Sequence, residues 1–175
     1  MIKRKPILLM SAVCLLISAV VWAQGKKTAA DGMEDQIRKA TFSYYVGLVL
    51  GEPDEFFKSA KLPLATTLDG QTTLRDDKYL RAMLAAIHKQ AIATKLSDGD
   101  KKLIVQNMVS NIDDSQVQFI GANTATIAFL IQHDAKKMSD RFCSLVLHKE
   151  GIDKPEWKVI QEITDSKSIP PEYVK

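Results

Sequence analysis

Four segments within residues 115–164 decide the fold: SQVQFIG (115–121), NTATIAFLIQH (123–133), DRFCSLVLHKE (140–150) and EWKVIQEIT (156–164). In the second segment, Ala125, Ile127, Phe129 and Ile131 alternate with milder side chains. Successive side chains of a strand point to opposite faces, so a period of two predicts a strand with one apolar face. Turn-forming residues at 121–123 and 151–155 separate the segments. The stretch therefore predicts an antiparallel meander of strands.

Strict alternation also assigns the faces of the later strands. In the last segment it places Trp157, Val159, Gln161 and Ile163 on one face, and Lys158, Ile160, Glu162 and Thr164 on the other. The apolar faces of the sheet are then predicted to carry Ile127, Phe129, Ile131, Val146 and Val159. Because no acidic residue falls among them, no carboxylate is expected in the interior.

The first 23 residues have the pattern of an export signal. Lys3, Arg4 and Lys5 precede an uncharged, mostly apolar run at 7–22, and small residues at Val21 and Ala23 predict cleavage after Ala23. The apolar run is shorter than the roughly 20 residues that span a bilayer. We therefore expect a periplasmic or secreted protein without a stable membrane span after cleavage. The alternative is an uncleaved anchor.

Removal of this signal changes the charge and the cysteine count of the chain. The formal net charge of +3 belongs to the signal, so the mature chain is close to neutral and lacks the basic footprint of a nucleic-acid-binding protein. Cleavage also removes Cys14 and leaves Cys143 alone. No intramolecular disulfide can then form, and the domain must be held together by its apolar core.

Helical spacing and capping signals predict two elements before the sheet. Residues 24–30 are interpreted as a disordered leader, and 31–165 as one domain. A capping box of Asp31 and Glu34 predicts the start of a long helix, which Gly51 and Pro53 end. A short helix follows at 53–60.

Three further elements follow along the chain. A small hairpin is predicted at 62–73, turning at Asp69 and Gly70. Thr73 and Asp76 resemble a second capping box, which opens a helix that continues to about residue 95. Its apolar stripe at helical spacing includes Leu80, Met83 and Leu84. Residues 96–114 are interpreted as a third long helix capped by Asp98, with an extended segment as the alternative. Residues 166–175 contain two consecutive prolines and are interpreted as an extended tail.

The element order resembles the nuclear transport factor 2-like superfamily, which includes ketosteroid-isomerase-like and polyketide-cyclase-like proteins. The resemblance rests on GEPDEFF (51–57) after the first helix, on GANTATIAF (121–129) and on the closing EWKVIQEI (156–163). It implies an α+β cone, in which a curved antiparallel sheet wraps around helices and leaves a pocket at its open end. The isomerase-like branch uses a tyrosine of the first helix with two carboxyl groups inside the cone.

Candidate site residues are few. Tyr44 or Tyr45 matches the tyrosine that the resemblance implies, although both also suit packing at the rim of the core. The histidines show no metal-ligand spacing, so neither a metal nor a cofactor is expected. Cys143 is flanked by apolar residues, which favours a buried and inert thiol.

Two classes of function remain open. The first is a non-catalytic binding or interaction module, with a small apolar ligand in the cone or a protein partner or second copy against the sheet. The second is a small isomerase, cyclase or hydrolase that uses the tyrosine of the first helix. Because no interior carboxylate is expected, the first class is favoured. The predicted pocket residues are Tyr44, Tyr45, Leu48, Phe129, Ile131 and Trp157.

Overall fold

A computed structural model describes residues 29–95, 97–134, 139–152 and 154–165. The chain divides into two units, Met1–Met33 and Glu34–Lys175, and only residues 29–33 of the first are described. The predicted signal, most of the leader and the extended tail thus fall outside the described residues. Within the described residues, no helix is long and apolar enough to cross a membrane.

The described residues form an α+β fold with an open six-stranded sheet. The helices are α1 (Ala29–Leu50), α2 (Pro53–Ser59), α3 (Asp77–Ala93) and α4 (Asp98–Asp113). The strands are β1 (Ala60–Leu68), β2 (Gln71–Arg75), β3 (Val117–Phe119), β4 (Thr124–Asp134), β5 (Ser139–Glu150) and β6 (Glu156–Thr164). Their order across the sheet is β2-β1-β6-β5-β4-β3. The predicted meander is confirmed, since β3 to β6 pair antiparallel in sequence order.

The sheet is mixed, whereas the resemblance implied a wholly antiparallel sheet. The β1–β2 hairpin joins the meander beside β6, and β1 runs parallel to β6. The hairpin turns at Asp69 and Gly70, as expected, and both residues have positive φ angles. This arrangement sets the β1–β2 hairpin next to the end of β6, which is where the candidate site lies.

The helix starts differ from the predicted capping boxes. Asp31 lies inside α1, which begins at Ala29. The N-cap of α3 is Asp76 itself, whose carboxylate accepts a hydrogen bond from the backbone nitrogen of Tyr79. Helix α4 is confirmed, but its cap is Ser97 and not the predicted Asp98. In both cases the cap is the extended residue just before the first helical turn, because its side chain can then reach the free N–H groups.

The buried face of the sheet comes from the alternation of β4 and β5. On β4, Ala125, Ile127 and Phe129 are buried, as the alternation predicted. On β5 the buried residues are Cys143, Leu145 and Leu147. The prediction that Val146 lies on the interior face was therefore wrong, because Val146 occupies the opposite phase of β5 and is only partly buried.

Helix α1 packs tightly against its neighbours at two glycines. A Cβ at Gly47 would lie 2.3 Å from the backbone nitrogen of Phe56 on α2. At Gly51, which has φ +66°, a Cβ would lie 2.4 Å from the backbone nitrogen of His88 on α3. Gly51 ends α1 in the left-handed conformation, as predicted. The two close approaches let α2 and α3 pack directly on the end of α1.

Candidate functional site

A cavity of about 270 Å³ lies between α1, α3 and the β2, β1 and β6 strands. Much of its wall is apolar. The apolar side chains come from two helices and one strand: Leu48 of α1, Leu64 and Leu68 of β1, and Leu80 and Met83 of α3. The cavity also exposes three threonines, Thr66, Thr67 and Thr164. It has the mixed lining expected of a pocket that accepts a small organic molecule.

A bulge in β6 brings a carboxylate into this cavity. Leu147 of β5 pairs with Val159, yet Leu145 pairs with Glu162, so the register shifts by one residue between these pairs. A β-bulge inserts one extra residue and reverses the alternation beyond it. Glu162 therefore shares the interior face with Leu145, which is fully buried. The prediction of an interior without carboxylates was wrong for this reason.

Tyr44 of α1 and Glu162 of β6 form a hydrogen-bonded pair at the inner side of the cavity. The Tyr44 hydroxyl donates to Glu162 Oε2 over 2.5 Å. Burial raises the pKa of the Glu162 carboxyl above its ordinary value, and the hydrogen bond from Tyr44 offsets part of this rise. Burial, with the nearby Glu162 carboxylate, also raises the pKa of Tyr44 well above its ordinary value. Tyr44 therefore keeps its proton, and Glu162 is a weaker acid than an exposed glutamate.

Arg75 provides the positive charge of the cavity. It is the last residue of β2, and its Nε donates to Thr66 Oγ1 over 3.1 Å. Its guanidinium lies over the ring of Tyr79, with Cζ 4.3 Å from the ring centroid. Stacking and hydrogen bonding together fix the plane of the guanidinium at the cavity wall.

The predicted pocket residues divide between this cavity and the packed core. Tyr44 and Leu48 line the cavity. Tyr45 meets Phe129 edge to face, with ring centroids 5.0 Å apart, and so closes that part of the interior. Ile131 packs against the core, and Trp157 is almost fully buried. Trp157 lines a separate cleft beside α1 and the start of β6. The role of all six in binding a ligand stays a prediction.

Sequence reasoning missed Glu162 and Arg75. Strict alternation placed Glu162 on the outer face, because nothing in EWKVIQEIT marks the bulge. Arg75 follows the predicted hairpin, and no motif singled it out. A signal for Arg75 was its position directly before the N-cap Asp76, where the chain turns from strand into helix.

A larger groove of about 680 Å³ lies apart from this cavity, between the residues that join α1 to α2 and one face of α3. Its lining includes Glu52, Asp54, His88 and Lys89, all of which are exposed to solvent. Of these two, the smaller cavity is the candidate site, since it combines apolar walls with the Tyr44–Glu162 pair.

The remaining titratable candidates lie apart from one another. His88 is exposed on α3, and His148 on β5 shares a 3.2 Å hydrogen bond with Thr124 Oγ1. Cys143 is fully buried, as predicted, and burial raises the pKa of its thiol. The described part of the chain contains no group of three His, Cys, Asp or Glu side chains placed to hold a metal ion.

Known structures are similar to this chain in fold. No protein-family model matches the sequence, and a search of curated proteins finds no significant match. An NTF-2 like protein of unknown function from Shewanella oneidensis MR-1 is 13% identical, with a TM-score of 0.42, and the match covers 75% of this chain and 98% of the other.

Two proteins from Nostoc punctiforme PCC 73102 have a cystatin-like fold. A domain of unknown function is 18% identical with a TM-score of 0.45, covering 80% of this chain and 79% of that one. The other, a protein of unknown function, is 12% identical with a TM-score of 0.42, and the match covers 83% of this chain and 97% of that one. The Shewanella protein bears the name of the superfamily that the sequence resembles. The likeness concerns the fold and does not extend to a ligand or a reaction.

Proposed function

We propose that this chain is a binding module whose cone takes a small, mostly apolar organic molecule. The observation that carries the proposal is the cavity of about 270 Å³, in which apolar side chains surround the Tyr44–Glu162 pair. A cavity of this kind is costly for a domain that needs only a packed core, because it leaves apolar surface in contact with water. Binding of a ligand recovers part of that cost.

The hydrogen bonding of the pair favours binding over catalysis. The Tyr44 hydroxyl donates its hydrogen bond to Glu162, so it does not offer this hydrogen bond to a substrate oxygen. Glu162 is the one carboxylate in the lining of the cavity, whereas acid–base chemistry of the isomerase type would use two. The pair is therefore better suited to hydrogen-bonding a bound molecule than to acid–base catalysis.

Thermal unfolding in the presence of small apolar molecules tests this proposal. We expect octan-1-ol or a similar compound to raise the Tm, and a ligand at 100 times its Kd should stabilise the fold by about 2.7 kcal/mol. Leu48→Trp fills the cavity and should abolish the rise. Ile92→Trp, a matched change in the outer groove, should leave it intact, since Ile92 lies outside the cone.

A Tm that no small apolar compound raises would contradict a binding cavity. A rise that persists in Leu48→Trp would place the ligand elsewhere. Because both variants introduce the same residue, a difference between them reports the position of the ligand and not the chemistry of tryptophan.

The second candidate function is a small isomerase, cyclase or hydrolase. It is favoured by one observation, the raised pKa of Glu162, since buried carboxyls of this kind serve as general bases. Turnover of a ketosteroid-like or ester substrate that Glu162→Gln abolishes would establish this function. The same variant should retain ligand binding if the cone only binds, because glutamine still accepts a hydrogen bond from Tyr44.

We also propose that the chain acts outside the cytoplasm. The support is the basic start, the apolar run at 7–22 and the small residues before position 24. N-terminal sequencing of protein from the producing cells should begin at Gln24. Intact Met1 on the isolated protein would contradict cleavage.

A further inference from the structure

Arg75 has donor groups that no described residue uses. Its Nε donates to Thr66, and its guanidinium face covers the Tyr79 ring. These contacts involve the Nε edge and the face of the group, and leave the two terminal nitrogens without a protein acceptor within the described part of the chain. An arginine always carries its charge and has five donors in a rigid fork. A fixed, partly buried fork without a counter-ion is prepared for an anion from outside.

The acidic side chains near Arg75 are engaged elsewhere. Asp76 accepts from the backbone nitrogen of Tyr79, and Asp77 forms a 2.9 Å salt bridge with Arg81. Glu162, the carboxylate of the same cavity, accepts from Tyr44. Each of these acids thus has another partner in the fold, and within the described part of the chain Arg75 forms no salt bridge.

Arg75 and Glu162 belong to strands on either side of β1. Arg75 is on β2 and Glu162 on β6. The Arg75 side chain reaches over β1 to Thr66, which pairs with Glu162. Glu162 Oε2 is engaged by the Tyr44 hydroxyl, so the terminal nitrogens of Arg75 remain for an anion.

The cavity walls carry apolar surface that is open to solvent. Leu68 is 52% exposed and Tyr79 is 45% exposed, and both line the cavity. Leu48, Leu80 and Met83 continue this apolar surface inward. A molecule with a charged end at Arg75 could lay an apolar body along this surface, which is the behaviour of an amphipathic acid.

We propose that the ligand is a small amphipathic carboxylate, with its carboxylate bound by the Arg75 guanidinium and its apolar body inside the cone. This inference rests on the proposed binding function and names the chemical class of the ligand. Arginine and carboxylate groups match in geometry and form paired, charge-assisted hydrogen bonds. The guanidinium thus selects the head group, and the apolar walls select the body.

Binding of octanoate and octan-1-ol to the full chain, measured by titration calorimetry at pH 7.4, tests the inference. The two probes share one alkyl chain and differ in the head group. We expect octanoate to bind about tenfold more tightly than octan-1-ol, since a charge-assisted pair adds that much affinity. Arg75→Gln should remove the difference.

Arg81→Gln is the matched control. Arg81 also stacks on an aromatic ring, that of Phe57, but it is ion-paired with Asp77 and lies outside the lining of the cavity. It should keep the full preference for octanoate. Arg75→Lys keeps the charge and loses the fork, so an intermediate preference is expected. If Arg75→Gln fails to fold, Arg75→Lys still tests the inference.

Two results would overturn the inference while the proposed function stands. One is equal affinity for octanoate and octan-1-ol in the unchanged chain. The other is tighter binding of octylamine than of octanoate, which would make Glu162 the residue that selects the head group. If neither octanoate nor octan-1-ol binds the unchanged chain, the binding function itself fails along with the inference.

Discussion

Tyr44 and Glu162 lie 118 positions apart in the sequence, yet the Tyr44 hydroxyl donates to Glu162 Oε2 over 2.5 Å. The contact joins α1 to β6 across the interior of the fold. It depends on the register shift in β6, which turns Glu162 inward. Removing either partner would leave the other polar group buried without its hydrogen bond, which costs about 1–3 kcal/mol.

The pH dependence of stability should report the burial of Glu162. Its pKa in the folded chain is raised from the ordinary 4.5, so the folded state binds this proton more tightly than the unfolded state. The stabilisation from this proton is fully present below the ordinary pKa and is lost as pH rises through the folded pKa. Glu162→Gln should therefore be at least as stable as the unchanged chain at neutral pH.

Urea unfolding of both proteins between pH 4 and pH 8 measures this effect. The difference in free energy of unfolding, unchanged chain minus Glu162→Gln, should fall as pH rises. Other carboxyls titrate in both proteins and cancel in the difference. A difference that is constant with pH would show that burial does not perturb Glu162.

Gly47→Ala should destabilise the fold. The added Cβ would meet the Phe56 backbone nitrogen at 2.3 Å, so α1 and α2 would have to separate. Overpacking of this kind costs about 1–3 kcal/mol in the free energy of unfolding. Gly32→Ala is the control in the same helix, since nothing lies within 4 Å of its added Cβ. The control should be neutral or stabilising by up to about 1 kcal/mol. Equal effects of the two changes would argue against the close helix contact.

Cys143 should be unreactive in the folded chain. It is fully buried, and burial raises the pKa of its thiol, so the reactive thiolate is scarce. In a Cys14→Ser background, a thiol reagent such as DTNB should react slowly without denaturant. One equivalent should react at once in concentrated guanidinium chloride. Fast reaction of the folded protein would show that Cys143 is accessible.

Trp157→Phe should have little effect on stability. The indole Nε1 is buried without a hydrogen-bond partner among the described residues. Phenylalanine removes this unsatisfied donor while keeping most of the ring, so the loss of volume and the relief of the donor largely offset each other. We expect a change within about 1 kcal/mol, against about 3–5 kcal/mol for Trp157→Ala. A large loss in Trp157→Phe would indicate that Nε1 has an acceptor.

Much of the fold could be predicted because its signals are local. The alternation in 124–131 predicted β4 and its buried face, and the spacing of Leu80, Met83 and Leu84 predicted α3. Gly51 and the Asp69–Gly70 pair marked a helix end and a hairpin turn through positive φ angles. The caps were less predictable, because several polar residues precede each helix and only the backbone geometry selects one of them.

The cavity could be predicted only in part. Tyr44 and Leu48 followed from helical spacing, since one turn of α1 places both on the same face. Phe129 and Tyr45 were expected in the same pocket, but they pack against each other and fill that part of the interior. The distance between α1 and the sheet decides which large side chains fill the interior and which border a cavity. The spacing of residues within one segment carries no information about that distance.

The sequence by itself determined the strands, the helices and the apolar faces of β4 and α3, because periods of two and 3.6 residues are properties of each segment alone. Only the tertiary structure decided which charged side chains line the cavity. The extra residue in β6 is set by its pairing with β5, and it moves Glu162 from the outer face to Tyr44. Arg75 likewise reaches the cavity only because β1 pairs with both β2 and β6. Such pairings join distant segments, so no local pattern records them.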